Sequence, residues 1–186
     1  MKRLPLPDTT RLTPEQQTVH DTVVAGPRGR IGGALAFWLH RPEFADRAQN
    51  LGLYLRYDTS LPARLSELAI LVTARHWGAE FEWIHAPLAK KAGTTAAAVD
   101  AIKLGNKPSF DRDDEQVVYD IAKAILTDRH IADELYAQGV AALGDAGMVD
   151  LIGILGYYCM ICLTLNTFEI YPEPREPDWS SDVGVA

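Results

Sequence analysis

The feature that most limits how this chain can fold is a run of 18 uncharged residues, Leu151 to Phe168. A run of this length is close to the shortest helix that can cross a bilayer. However, it includes the polar residues Thr164 and Asn166, it has no flanking basic cluster, and the chain has no second run of this kind. Membrane spans are more uniformly apolar and are usually flanked by basic residues. The run therefore predicts a central helix that is buried on most sides, and no membrane partner.

Composition places the chain among globular proteins. Its 186 residues fit one domain, and 47% of them are apolar and 23% charged. The 18 basic residues are outnumbered by 25 acidic ones, which gives a net charge of −7. Such a surface repels phosphate groups, so we expect no nucleic-acid partner. The N-terminal stretch MKRLPLPDTT lacks the apolar segment of a signal peptide, so we expect a cytoplasmic protein.

Helix signals along the chain predict an all-α bundle of about eight helices. Thr13 can cap the first helix, with Pro14 in the first helical position and Gln16 able to complete a capping box. The Gly-rich stretch 26–33 could hold a phosphate on its N–H groups or connect two helices, and its missing Lys-Ser/Thr ending favours the connector. Further helices are predicted at 42–57, from Pro62 to Gly78, at 79–92, from Thr94 or Thr95 to Gly105, around 117–125, near 131–143 and at 146–168. We divide the chain into a proline-rich arm at 1–12, a single helical domain at 13–170 and a polar tail at 171–186.

The segment RHWGAEFEWIHAPLAKKAG, residues 75–93, contains an unusual pair of polar residues. On an α-helix, one apolar face that we expect to be buried is formed by Phe81, Ile84 and Leu88. His85 falls within this face, and Glu82 lies at its edge three residues earlier, within reach of the imidazole. A buried imidazole beside a carboxylate is either a hydrogen-bonded core histidine or a general acid–base group.

Glu67 is a second acid in an apolar setting, within the predicted helix LSELAILVTA. Burial of a carboxylate is unfavourable unless the group is paired. Glu67 is therefore either an acid at the edge of the apolar face or a partner of His85 from the preceding helix. In the second case, Glu67 and Glu82 would flank one imidazole and form a proton relay.

The chain's two cysteines form a Cys-x-x-Cys pair, Cys159 and Cys162, in the middle of the long apolar run. Reactive pairs of this type lie at helix N-termini, where the helix dipole lowers the thiol pKa. We therefore expect both thiols to be unreactive packing residues, and no zinc site, because no further ligands occur at useful spacing.

Three segments together resemble the carboxymuconolactone decarboxylase-like family, which includes alkylhydroperoxidase D. They are GPRGRIGG, LPARLSELAILVTARHWGAEFEWIHAPLAKKAG and LIGILGYYCMICLTLNTFEI, and the similarity spans roughly residues 26–171. The resemblance implies an all-helical fold and a homo-oligomer, either a trimer or a hexamer.

The same resemblance assigns roles to individual positions. In the hydroperoxidase branch, a Cys-x-x-Cys precedes a histidine on one helix, and a glutamate lies on the preceding helix. Glu67 matches that glutamate and His85 that histidine, but the cysteine positions hold Ala79 and Glu82. The spacing from Glu82 to His85 is also three residues instead of the family's usual four. A one-residue deletion or a local π-type turn would account for the difference.

These observations favour acid–base catalysis, a decarboxylation or related proton transfer, on a small carboxylic acid or lactone. In this hypothesis His85 donates the proton, Glu82 orients it or shares the proton, and Glu67 tunes the pair, with no metal or organic cofactor. The first alternative is a thiol peroxidase, which the missing cysteines of the motif helix disfavour. The second is a non-catalytic helical oligomer that binds a small ligand.

Overall fold

The computed structural model describes residues 3–174, and this part of the chain is helical without a β-strand. Eight α-helices lie within it, joined by short loops, a π-helical turn at Tyr54–Asp58 and a 3-10 helix at Glu80–His85. The α-helices are α1 Pro14–Ala25, α2 Ala34–Trp38, α3 Pro42–Leu53, α4 Ala63–Trp77, α5 Ala86–Ala92, α6 Ala96–Lys103, α7 Asp113–Asp128 and α8 Asp133–Thr167. The predicted all-α bundle is confirmed.

The first helix begins as the sequence predicts. Thr13 accepts a hydrogen bond from the backbone N–H of Gln16, and the Gln16 side chain accepts one from the N–H of Thr13 at 3.0 Å. Pro14 occupies the first helical position, where its missing N–H costs nothing. Two short-range hydrogen bonds and a proline therefore mark this terminus, as the sequence predicts.

Helix α4 is the centre of the bundle, and it packs against α7 and α8, which also pack against each other. Nearly every side chain in its middle is buried, because neighbours cover it all round: these are Leu65, Leu68, Ala69, Ile70, Leu71, Val72 and Ala74. A helix that is apolar on all sides is stable in water only when it is enclosed in this way.

Helix α8, which contains the uncharged run, is less enclosed than the sequence predicts. One face packs on the core, but Val149 is 73% exposed, and Ile152 and Leu163 are also on the surface. By length and composition α8 could cross a membrane, although 56% of its most apolar window is buried in the domain. Core helices of globular proteins can be equally long and apolar. At Gly144 the backbone leaves the helical region, which separates two helical stretches close to the predicted 131–143 and 146–168 boundary.

The described part of the N-terminal arm lies along its own domain. Arg3 forms an ion pair with Glu169 at 2.7 Å and donates to the carbonyl of Thr167, at the end of α8. The Pro5 carbonyl lies 2.8 Å from Nε2 of His40. These contacts connect the arm to the end of α8 and to the loop between α2 and α3. Residues 175–186 of the predicted tail lie outside the described part.

Candidate functional site

The segment that joins α4 to α5 differs from the predicted continuous helix at 79–92. Gly78 adopts a left-handed conformation, with φ 61°, which ends α4 and favours glycine because other residues are strained there. The chain then forms the 3-10 helix Glu80–His85 before α5 begins. A 3-10 helix has three residues per turn, so residues three apart lie directly above one another. Glu82 and His85 therefore share one face, and no π-type turn forms here.

The change of helix type also alters which side chains are buried: His85 is buried as predicted, and Glu82 is buried with it. Glu82 is 5% exposed and His85 is 3% exposed, whereas Ile84 and Leu88, predicted to face the core, are 46% and 40% exposed. The prediction that Ile84 and Leu88 lie on the buried face is thus wrong, because it assumed 100° per residue through a segment that turns about 120°. Phe81, the third residue of that face, is partly buried and packs against the core. The segment turns its polar pair inward.

Glu67, Glu82 and His85 lie together in the structure. Nδ1 of His85 is 2.6 Å from Oε2 of Glu67, a short hydrogen bond that joins the 3-10 helix to α4. On the other side of the ring, Nε2 is 3.4 Å from Oε2 of Glu82, which is an ion-pair distance but long for a hydrogen bond. The imidazole therefore lies between two carboxylates, as the relay hypothesis requires.

The two carboxylates determine the charge of the imidazole. Burial works against protonation of His85, but the hydrogen bonds and negative charges of Glu67 and Glu82 outweigh it, so the pKa of His85 is raised above its usual value. The edge of the imidazole also meets the ring of Tyr158 at 89°, with 5.3 Å between ring centroids. The ring is thus held on three sides, and its protonated form is favoured.

A cavity of about 320 Å³ opens beside His85 and Glu82. Its other walls come from the Gly-rich loop, the start of α2, the π-helical turn, and the aromatic residues of α8. Glu67 does not line the cavity, because it lies behind the imidazole. Among the described residues the lining includes Arg28, Arg30, Trp38, Arg56, Phe81, Glu82, His85, Tyr157 and Tyr158.

Local sequence patterns do not predict the three cavity arginines, Arg28, Arg30 and Arg56, and they favour a connector for the loop that carries two of them. The available signal was a pair of arginines in a Gly-rich loop of an acidic chain. Nothing local showed that this loop meets the π-helical turn and α8, because the three segments are far apart in sequence. Their convergence is decided by packing.

The two cysteines lie outside the cavity lining. Burial raises the pKa of both thiols, and the Cys159 sulfur accepts a hydrogen bond from the Trp77 indole N–H at 3.1 Å. Cys162 is fully buried in α8. Neither thiol has the electropositive, accessible surroundings that promote reactivity.

The chain matches no protein-family model and no curated protein. Its structure is similar to the crystal structure of an uncharacterized peroxidase-related protein from Silicibacter sp. TM1040, with a TM-score of 0.74. The two sequences are 13% identical, and the likeness covers 97% of this chain and 94% of that one. At this level of identity the likeness shows the fold alone. It agrees with the alkylhydroperoxidase-like helical fold that the resemblance implies, while the family itself stays a prediction.

Proposed function

We propose that the protein is an acid–base catalyst of the carboxymuconolactone decarboxylase-like type, acting on a small carboxylic acid or lactone. The observation that supports this most strongly is the buried His85 between two carboxylates at the wall of a cavity. Nδ1 is paired with Glu67, which does not line the cavity, so Nε2, beside the lining residue Glu82, is the nitrogen assigned to the substrate. Pairing of this kind fixes the orientation of an imidazole and supports its protonated form.

In the proposed reaction each group of the site has a defined role. Glu67 orients His85 and stabilises the imidazolium. In a decarboxylation, the C–C bond to the leaving carboxylate breaks, carbon dioxide departs, and the electron pair is delocalised as an enolate. Nε2 of His85 then gives its proton to the carbanionic carbon, and solvent returns a proton to the imidazole through Glu82. No external oxidant or reductant is needed for this sequence.

The thiol-peroxidase alternative gains no support from the site. The cysteines lie on α8 and are not among the residues that line the cavity, and their raised pKa values leave little thiolate at neutral pH. A non-catalytic ligand-binding role would use the same cavity, so turnover must decide between that role and catalysis.

The experiment compares His85→Gln with wild type on a panel of small lactones and unsaturated carboxylic acids, with product formation followed by NMR. We expect turnover to fall about a hundredfold or more, because the proton donor is lost. His76→Gln is the matched control, since His76 is half-buried but lies outside the cavity lining. Melting temperatures are measured for both variants. Full turnover in a folded His85→Gln would contradict the proposal.

We also propose that the protein is a cytoplasmic homo-oligomer, a trimer or hexamer, with small-molecule substrates as its other partners. Support for assembly comes from the apolar outer face of α8, where Val149, Ile152 and Leu163 are exposed. Exposed apolar residues that recur along one helix face are typical of subunit contacts.

A further inference from the structure

We propose that Arg28 and Arg56 form an anion subsite that anchors a carboxylate of the substrate in the same cavity as His85. The chemistry at the other end of such a substrate rests on the proposed function, but the binding of the carboxylate does not.

The cavity lining is cationic although the chain is acidic. It contains Arg28, Arg30 and Arg56 but only one carboxylate, Glu82, whereas the whole chain has a net charge of −7. Among the described residues, the carboxylates that form ion pairs do so with other basic groups, and neither Arg28 nor Arg56 has such a partner. Partly buried guanidinium groups that lack a counter-charge favour the entry of an anion.

The donors of these arginines are buried and unsatisfied. Six buried side-chain polar atoms in the described part of the chain have no hydrogen-bond partner, and three of them are Nε and Nη2 of Arg28 and Nε of Arg56. Buried donors without partners are rare in proteins, because each forfeits its hydrogen bond to water. All three atoms belong to side chains that line the cavity, so a small rotation of either guanidinium group lets a bound group supply the missing acceptors.

The particular atoms point to a carboxylate. Nε and Nη2 form one edge of a guanidinium group, and two parallel N–H bonds from that edge match the two oxygens of a carboxylate. Both unpaired atoms of Arg28 belong to this edge. Arg56 offers one further N–H, and its guanidinium carbon lies 5.2 Å from the centre of the Tyr57 ring, so the head group is supported from the side.

The space around Arg28 depends on a glycine in α3. A Cβ atom at Gly52 would overlap the Tyr157 hydroxyl and would lie 2.5 Å from Nη2 of Arg28. The absent side chain therefore lets the guanidinium and the phenol lie against the helix backbone. A glycine inside a helix is unfavourable by roughly 1 kcal/mol relative to alanine, and this close approach is a physical reason for it.

Arg56 is held in place by the turn that carries it. Asp150 on α8 accepts hydrogen bonds from the Tyr54 hydroxyl at 2.7 Å and from the backbone N–H and hydroxyl of Ser60, both at 2.7 Å. These bonds fix both ends of the π-helical turn against α8. The backbone that carries Arg56 is thus fixed before any ligand enters, which lowers the entropy lost on binding.

An anchored carboxylate would differ from the one that reacts. Charge-assisted hydrogen bonds stabilise the anion in the ground state, and such stabilisation opposes the loss of that group as carbon dioxide. The carboxylate at Arg28 and Arg56 is therefore retained on the product, and His85 acts on another part of the molecule.

The test measures binding of succinate and inorganic phosphate by isothermal titration calorimetry at low ionic strength. We expect succinate to bind wild type, and Arg28→Met to weaken its binding by about tenfold or more through loss of the bidentate pair. Arg28→Lys keeps the charge but loses the two parallel N–H donors, and we expect its affinity for succinate to lie between those of wild type and Arg28→Met. His76→Gln changes a histidine outside the cavity lining and should bind succinate as wild type does. Because succinate binding is measured without turnover, failure of the subsite is distinguished from failure of the proposed catalysis.

Two further comparisons distinguish a local change at the subsite from a general folding defect. Gly52→Ala should weaken succinate binding without removing a charge, whereas Gly156→Ala, where a Cβ would meet no atom within 4 Å, should not. Arg30→Gln, at an exposed lining residue, should have a smaller effect than Arg28→Met. The subsite is overturned if folded Arg28→Met and Arg56→Met both bind succinate with wild-type affinity. It is equally overturned, in favour of a phosphate pocket, if phosphate binds more tightly than succinate.

Discussion

Replacement of Glu67 by Gln tests whether His85 is held as a charged group. The substitution keeps the shape of the side chain but removes the negative charge 2.6 Å from Nδ1 of His85. Burial then opposes protonation with only Glu82, at 3.4 Å, to offset it. We expect the pKa of His85 to fall and the folded state to lose stability.

The size of the loss follows from the burial of the pair. A hydrogen bond to a charged group contributes roughly 1.5–3 kcal/mol, and breaking a fully buried ion pair costs about 3–5 kcal/mol. The His85 side chain is 4% exposed, but that of Glu67 is 14% exposed, so water reaches the pair from one side. We therefore expect a decrease of about 2 kcal/mol in the free energy of unfolding, toward the lower of these ranges. For a domain of this size that corresponds to roughly 4–8 °C in melting temperature.

The loss should depend on pH in a defined direction. The pKa of His85 is raised in the folded state, so its pairing contributes fully below the unfolded value of about 6.5 and is lost as pH rises through the folded value. Urea unfolding of wild type and Glu67→Gln should therefore differ more at pH 6 than at pH 9.

A matched substitution separates the loss of the His85 ion pair from the general effect of removing one acidic charge. Glu43→Gln removes an exposed acid paired with Arg47 on α3, and we expect it to show no comparable pH dependence. Equal losses for Glu67→Gln at pH 6 and pH 9, or a larger loss at pH 9, would refute the claim that Glu67 holds a charged His85.

Two further predictions concern α8. A thiol reagent should modify Cys159 and Cys162 at least about tenfold more slowly in the folded than in the unfolded protein, because burial suppresses the thiolate. The variant with both cysteines replaced by alanine should keep any turnover. Rapid labelling of the folded protein, together with loss of peroxide consumption in that variant, would favour the thiol-peroxidase alternative. Light scattering at micromolar concentration should give the mass of an oligomer for wild type and a lower mass for Val149→Glu or Leu163→Glu, since a charge on the apolar face opposes association. A monomer mass for wild type would contradict assembly.

The sequence by itself determined the features that depend on neighbours along the chain. The Thr13 capping box, the end of α4 at Gly78 and the break near Gly144 all follow from local hydrogen bonding and backbone preference. The all-α class follows from helical spacing of apolar residues. The proximity of Glu67 to His85 was predicted as one of two alternatives, and their catalytic roles stay a prediction.

Only the tertiary structure decided the environment of the site. The segment 80–85 is a 3-10 helix that buries Glu82 and His85, because an acid on α4 pairs with the imidazole and compensates for its burial. Spacing along one segment cannot reveal a compensation supplied by another helix. Likewise, Arg28 meets Tyr157 across more than a hundred residues of sequence. The shape and charge of a cavity depend on which distant surfaces come into contact, and local preferences carry no information about that.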